Sequence, residues 1–411
     1  MKILWNSVAP WIGTGYGQQT RIFTPRIRDL GHHVALSAYC GLEGTIGTWE
    51  DMTVYPADLT RMNKYNLRKY VELEGGADEV QVITLTDVWP WLHRDFGGIV
   101  ADYRGLNIAA WCPIDHDPAP ANVIETLHHF DVRPIAMSKF GEDRLKRAGL
   151  DPLYVPHGVD TNIFQPFTNR DEIREYMNIP EDAFVVGVVA NNQGQEVPRK
   201  SFPQLLQAFA MFLEEQPNAF LYLHTDAFGH NQGLNLIPLV GEVYGIPPDR
   251  VRFVDQDRYW MGQIDWPQMA RIYNSMDVLL NPSMGEGFGI PIIEAQACGT
   301  PVIVTNWTSM PELVGAGWAV EGEPFYRSPS AAWWSIPNIG GIVEALRLAY
   351  EKKGDQEWRD QARGFALQYD ADRVLQDYWV PTLEALGKPR EVPPLVSPNR
   401  EMRRAQKKVA K

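Results

Sequence analysis

The feature that most constrains this chain is the recurrence of short apolar runs without polar alternation, each followed by an amphipathic stretch. In the first half the runs "KILWNSV", "HVALSAY", "VQVITLTD", "LNIAAWCPID" and "RPIAMS" are interleaved with "GQQTRIFTPRIRDLG", "ANVIETLHHF" and "KFGEDRLKRAG". A strand that is apolar on both sides is buried on both faces, which is the situation of a parallel strand covered by helices. Repetition of strand, helix, strand therefore predicts an open, doubly wound α/β sheet. The second half repeats the scheme, with "FVVGVVA", "AFLYLHT", "VRFVD", "DVLLNPS" and "PVIVT" as strands. At 411 residues the chain exceeds one ordinary core, so two such domains are expected.

The expected boundaries are 1–160 for the first domain, 161–370 for the second, 371–387 for a further helix and 388–411 for a tail. "PHGVDTNIFQPFTNRDEIREYMNIPED" has no long apolar run and reads as the linker. The stretch from Gly41 to Asp78 breaks the rhythm and reads as an insertion carrying one helix, near "NKYNLRKYVEL".

Charge narrows the partners. The formal net charge is -13, yet the segment from Lys388 to Lys411 holds eight Lys or Arg against two Glu, leaving about -19 on the body. Such a body does not match a nucleic-acid backbone, which requires a basic footprint. The tail reads as a solvated, disordered end. Cys40, Cys112 and Cys298 are isolated thiols without metal-site or disulfide spacing, which fits a reducing cytosol. No run approaches the ~20 apolar residues of a membrane span, and the apolar run at the N-terminus is too short for a signal peptide.

Chemistry concentrates in "NPSMGEGFGIPIIEAQACGTPVIVT", residues 281 to 305. "DVLLNPS" reads as a strand, "MGEGFG" as a turn and "IPIIEAQAC" as a helix. Pro291 suits the first turn of that helix and Gly299 its left-handed stop. The turn thus lies at the carboxyl end of a parallel strand, where open α/β sheets bind ligands. The backbone N–H groups of Gly287, Phe288 and Gly289, with the helix dipole, favour an anion there, most obviously a phosphate. Glu286 in the turn and Glu294 in the helix can each accept two hydroxyl hydrogen bonds. One on a ribose, the other on a second sugar, and a diphosphate between them would describe a nucleotide-sugar.

This segment resembles the E-x7-E signature of the retaining glycosyltransferases of family four, and "EAQACGTPVIVTNWTSMPELVG" is similar to that family's continuation. "VPHGVDTNIFQP", residues 155 to 166, resembles its linker, with His157 where Asn is usual. "IAMSKFGEDRLKRAG" resembles the last strand and helix of its N-terminal domain. The similarity runs to about Leu386. It implies a GT-B architecture, in which two Rossmann-like domains face each other across a cleft and the last helices cross back onto the first. It also implies transfer of a hexose with retention at the anomeric carbon and without an obligatory metal, so no cofactor is expected and the nucleotide-sugar is a substrate.

Negative charge grows on the leaving diphosphate as the glycosidic bond breaks, so cations must lie there. The family uses a basic pair after the first strand of its second domain. In "VVANNQGQEVPRKSF" the usual Arg position holds Asn191 or Asn192, and Arg199 and Lys200 are assigned to the diphosphate. The resemblance places His116, at the end of "WCPIDH", facing the donor sugar, where it could stabilise positive charge or accept a proton. The loop "APWIGTGYGQQ" puts Gly13, Gly15 and Gly17 between the first strand and first helix, as a donor-binding loop would be.

Three D-x-D triplets, at Asp115 to Asp117, Asp255 to Asp257 and Asp370 to Asp372, recur too freely in an acidic chain to assign a metal. Trp89, Trp91 and Trp111, near strand ends of the first domain, are candidates for stacking on sugar rings. The expected donor is a UDP- or GDP-linked hexose. A glycan, glycolipid or protein acceptor stays open, as do a non-catalytic nucleotide-sugar-binding subunit and a phosphorylase or hydrolase on the same fold. Lys139, Arg144, Lys146 and Arg147 could bring the chain to a membrane surface as a peripheral protein, or simply solvate a helix.

Overall fold

The structure is a computed structural model and describes residues 1–92, 101–230 and 232–388. Apart from Lys388, the predicted basic tail lies outside the described residues.

Two separate sheets organise the chain. The first comprises β1 (Lys2–Val8), β2 (His33–Cys40), β3 (Gly47–Trp49), β4 (Met52–Tyr55), β5 (Val80–Leu85), β6 (Asn107–Cys112), β7 (Arg133–Ala136) and β8 (Leu153–Tyr154), in the order β3-β4-β2-β1-β5-β6-β7-β8. All its pairings are parallel except β3 with β4. The second comprises β9 (Phe184–Val189), β10 (Ala219–His224), β11 (Val251–Phe253), β12 (Val278–Asn281), β13 (Val302–Thr305) and β14 (Gly317–Val320), all parallel, in the order β11-β10-β9-β12-β13-β14. Their uninterrupted apolar sequences are matched by burial: every residue of β5, β10, β12 and β13 is buried.

Strand order reverses between β1 and β5 in the first sheet and between β9 and β12 in the second. Loops leaving such a reversal splay apart, which opens a crevice at the carboxyl ends of the strands. The two crevices supply the loops described below.

The stretch from Gly41 to Asp78 differs from the expectation of an insertion with one helix. The helix Leu67–Glu74 is present, but β3 and β4 precede it and extend the sheet. Both strands are so short that the turn between them, Glu50 and Asp51 with positive φ, masks them in the sequence.

A strand pair absent from the sequence reading, β15 (Gly322–Arg327) and β16 (Ala332–Pro337), forms an antiparallel hairpin after β14. Beyond it the helix Ile339–Glu351 packs on β13 and β14, the helix Gln356–Ala366 packs on the helix Ile290–Ala297, and helical turns over residues 371–386 return to the first domain. There the Trp379 ring packs 5.4 Å from Trp5, 5.0 Å from Trp111 and 5.8 Å from Phe23. Arg26 pairs with Asp372 at 2.7 Å, and Arg133 donates to the Ala385 carbonyl at 3.1 Å. Trp91 and Trp111 are thus core residues at 0% exposure, which removes two of the three tryptophans considered for sugar stacking.

The linker is docked onto the second domain. Arg170 and Arg174, on the helix Arg170–Tyr176, each bond the buried Asp277 carboxylate at 2.7 Å. His157 is buried between the Trp111 ring of the first domain and the Phe288 ring of the second, at 4.5 and 5.1 Å. Burial holds its pKa down at about 3, so it is neutral there.

Candidate active site

The glycine turn that carries Glu286 follows β12. Gly289 takes φ +114 and so starts the helix Ile290–Ala297 from a left-handed residue; Pro291 stands in its first turn, and Gly299 ends the segment at φ +74. The turn is shaped from behind by two hydroxyls of "WTSM". The Glu286 N–H donates to Thr308 Oγ1 at 3.0 Å, and Ser309 Oγ lies 2.8 and 2.7 Å from the carbonyls of Glu286 and Phe288. The Glu286 side chain is thereby fixed toward the loop that follows β9.

From that loop Arg199 Nη1 donates to Glu286 Oε2 at 2.9 Å and to the Gly285 carbonyl at 2.5 Å, while Lys200 Nζ bonds Glu286 Oε1. Burial alone would raise the Glu286 pKa, but the two cations outweigh it and hold the carboxyl at about 2. Burial pulls the Lys200 pKa down despite its partner. Asn192 is buried and structural: its Nδ2 donates to the carbonyls of Asp226 and Leu234, at 2.8 and 2.6 Å, and ties two loops together.

The first domain closes on this cluster through the loop after β6. A Cβ on Gly285 would come within 2.3 Å of the Asp115 carbonyl, and one on Gly287 within 2.3 Å of Pro113 Cβ. These two glycines are therefore required by contact between the domains. His116 Nδ1 donates to Asp115 Oδ1 at 2.6 Å, which leaves Nε2 as the atom able to act on a substrate. Nε2 is buried without a protein partner. The Trp334 ring lies on the imidazole at 4.9 Å and 27°.

Two acids missed by the sequence reading join the site. Asp115 is the partner of His116, and its pKa is lowered: burial opposes this, but the bond from His116 and the charge of Arg199 prevail. Asp87, just after β5, is pushed to about 6 by burial and by Asp115, and Tyr16 OH lies 3.5 Å from its Oδ2. Their signal in the sequence is position alone: each follows the carboxyl end of a strand near the point of reversal.

The glycine loop of the first domain meets the second. Thr14 caps the helix Gly15–Asp29 through the Gly17 N–H at 3.2 Å. A Cβ on Gly15 would lie 3.1 Å from Ile290 Cδ1, and one on Gly17 would clash with the Ile12 carbonyl at 2.2 Å, whereas Gly13 borders open space. Gly17 thus answers to helix packing, and Gly15 to the closed approach of the domains.

Glu294 is not gathered with Glu286 and the cations. It is 5% exposed and its Oε2 accepts from the buried Tyr273 hydroxyl at 2.7 Å. Burial raises its pKa to about 7 against the stabilising effect of that bond. The four basic residues considered for membrane contact all have acidic partners: Lys139 and Lys146 with Glu142, Arg144 with Asp117, Arg147 with Asp143. Among the described residues no three His, Cys, Asp or Glu side chains converge as a metal site, and no helix is long and apolar enough to cross a membrane.

Two parallel-sheet domains with their switch-point loops facing across a cleft, tied by a returning C-terminal helix, define the GT-B fold. The glycosyltransferase from Rickettsia africae superimposes with a TM-score of 0.67 at 15% identity, covering 94% of this chain and 99% of that one. Anabaena HepE in complex with UDP-glucose gives 0.66 at 16% identity, covering 94% and 100%. Residues 183–326 match the family described as Glycosyl transferases group 1. A D-inositol 3-phosphate glycosyltransferase from Segniliparus rotundus is 31% identical over 227 residues, 52% of this chain and 48% of its own length. An uncharacterized glycosyltransferase of Sulfolobus islandicus rod-shaped virus 1 is 26% identical over 254 residues, 58% of this chain and 70% of its own. The chain spans about half the length of the first of these relatives.

Proposed function

We propose that the protein is a retaining glycosyltransferase that moves a hexose from a nucleoside diphosphate sugar to an acceptor hydroxyl. The observation that carries the reading is the Glu286 carboxylate held by Arg199 and Lys200 beside the loop of Asp115 and His116, whose Asp115 carbonyl would stand 2.3 Å from a Cβ on Gly285. A diphosphate carries more negative charge than one carboxylate, so on donor binding it competes with Glu286 for the two cations. Glu286 is then released to accept hydrogen bonds from sugar hydroxyls. As the anomeric bond breaks, Arg199 and Lys200 stabilise the departing phosphate, the interaction that strengthens in the transition state. His116, oriented by Asp115, faces the same region from the first domain, where Nε2 can stabilise positive charge on the ring or accept the acceptor's proton.

Charge supplied by these side chains makes turnover independent of an added metal. Glu286 lies in the salt-bridged cluster and is no obvious covalent nucleophile, so front-face displacement, with the leaving phosphate taking the acceptor's proton, is the favoured course. UDP-linked donors are the first to test, since HepE, of the same fold, is described with UDP-glucose. Glu294 is assigned to the nucleotide end, its carboxylate backed by Tyr273.

The test has two stages. Thermal shift against UDP, GDP and ADP identifies the base, a ligand at a hundred times its dissociation constant stabilising by about 2.7 kcal/mol. NMR of the products from the matching sugar donor, in EDTA, then reports the anomeric configuration. Nucleotide release with an α-linked donor giving an α-linked product supports the reading. An inverted product, or stabilisation by none of the nucleotides, refutes it.

A further inference from the structure

The β15–β16 hairpin joins the two domains beside the turn that carries Glu286. Its residue Trp333 exchanges both backbone hydrogen bonds with Asp117 of the first domain, N–H to carbonyl at 3.1 and 2.8 Å. Two residues on, the Ser335 N–H donates to the Met284 carbonyl at 2.9 Å, immediately before Gly285 and Glu286. Asp117 is itself clamped by Arg144, at 2.7 and 2.9 Å. β16 is thus a strand anchored to both walls of the cleft.

Alternation along a strand then sorts its aromatic residues. Phe325 opposes Trp334, and Tyr326 opposes Trp333, on opposite faces of the hairpin. Trp334 turns inward: it is 8% exposed, stacks on His116, carries Arg327 over its ring at 4.6 Å, and its Nε1 would stand 3.2 Å from a Cβ on Gly285. That Nε1, like His116 Nε2, is buried without a protein partner. Two adjacent unpaired polar atoms, one a donor and the other an acceptor in the neutral ring, are costly unless a ligand uses them. Tyr326 and Trp333 turn outward, 51% and 40% exposed with ring centroids 5.0 Å apart, and the Trp307 Nε1–H donates to the Trp333 carbonyl at 3.4 Å.

We propose that this hairpin is the acceptor subsite and that the acceptor is a saccharide: one pyranose ring lies against the exposed Tyr326–Trp333 shelf on the outer face, and a ring further along the same chain, past the hairpin edge, offers its hydroxyls to Trp334 Nε1 and His116 Nε2 on the inner face. The inference rests on the glycosyl-transfer reading for the identity of the reaction, but the binding of saccharide does not. The chemistry selects the occupant. An indole face matches the C–H face of a sugar ring, and an indole N–H and an imidazole nitrogen that lack protein partners match its hydroxyls. A cross-strand aromatic pair also stabilises a hairpin, so stability is measured alongside binding.

The experiment is saturation-transfer NMR on the full chain with mannotriose, maltotriose and para-nitrophenyl hexosides as probes, on the native protein and on the double variant Tyr326→Ala/Trp333→Ala. The expected result is saturation of ring protons for at least one saccharide by the native chain, falling at least tenfold in the variant, with the melting temperature and nucleotide thermal shift preserved. In turnover the same variant raises the KM for acceptor at least tenfold while release of sugar to water is unchanged. Saccharide binding by neither protein, or by both equally, overturns the proposal. If the variant melts early, Trp333→Phe, which keeps a ring in the pair, decides: retained binding supports the shelf and lost binding overturns it. Absence of any nucleotide effect with saccharide binding intact refutes the transfer reading and leaves the subsite standing.

Discussion

Gly287 of the second domain and Pro113 of the first are packed so closely that a single added Cβ would stand 2.3 Å from Pro113 Cβ and 2.9 Å from its Cα. The turn that carries Glu286 is therefore shaped to be closed upon. Neither Pro113 atom can swing away, because both belong to a fixed ring and backbone. Gly287→Ala must hold the domains apart by roughly an ångström, and displacements of that size cost on the order of 10²-fold in rate. Turnover is expected to fall by about that factor. Nucleotide binding, which the proposed reading puts mostly on the second domain, should change less than threefold in the same thermal-shift series. Equal loss of both would place the defect in the turn itself.

Glu286→Gln separates the two jobs of the salt-bridged cluster. It removes the negative charge that now occupies Arg199 and Lys200, so nucleoside diphosphate should bind at least as tightly by calorimetry. Turnover should fall by roughly 10² to 10³, the scale for losing one group that acts in the transition state. With the native carboxyl at about 2, ionisation of Glu286 contributes no limb to the pH–rate profile above pH 4. A variant that loses nucleotide affinity in step with turnover would contradict this division.

Much of this was legible in the sequence because parallel strands announce themselves by unbroken apolar runs. "DVLLNPS" and "PVIVT" became β12 and β13, and the glycines between them marked the turn. Arg199 and Lys200 were reached only through the family resemblance, which expects a basic pair after β9. The hairpin was not, because "GEPFYRSPSAAWWSIP" carries no turn dipeptide of the common kind and its aromatic residues serve both faces. Glu294 illustrates the other limit. The segment "IPIIEAQAC" put it in a helix, but whether a carboxylate looks outward or meets Tyr273 depends on a helix about twenty residues away in the chain. Trp91 and Trp111 likewise lie near strand ends, and only the packing of Tyr103 and Trp379 against them shows that they are core.

Stability of the second domain should hinge on Asp277. It is 9% exposed, accepts from Arg170, Arg174 and the Val185 N–H, all at 2.7 Å, and joins the docked linker to the sheet. Burial would raise its pKa, yet the two guanidinium groups keep it below the usual carboxylate range. Asp277→Ala leaves Arg174 buried and unpaired, for which about 3–5 kcal/mol of destabilisation is expected. Urea unfolding of the two proteins at neutral pH measures it. A loss under 1 kcal/mol would mean that the linker is held chiefly by its apolar contacts.

Glu294 gives the clearest dependence on pH. Its pKa rises from 4.5 to about 7 on folding because burial penalises the carboxylate more than the Tyr273 hydroxyl helps it. A group raised in this way contributes stability that is fully present below pH 4.5 and is lost as pH climbs through 7. Each pKa unit corresponds to about 1.4 kcal/mol, so the ionised form is worse by ~3 kcal/mol. Glu294→Gln keeps a carbonyl oxygen for Tyr273 and removes the charge. The variant should therefore match the native chain at pH 4.5 and melt several degrees higher at pH 8. Saturating nucleotide should narrow that gap, because a ribose donating hydroxyls to the carboxylate restores to the native chain what burial takes away. If the gap stays unchanged with nucleotide bound, Glu294 does not touch the ribose and serves only the packing between its helix and Tyr273.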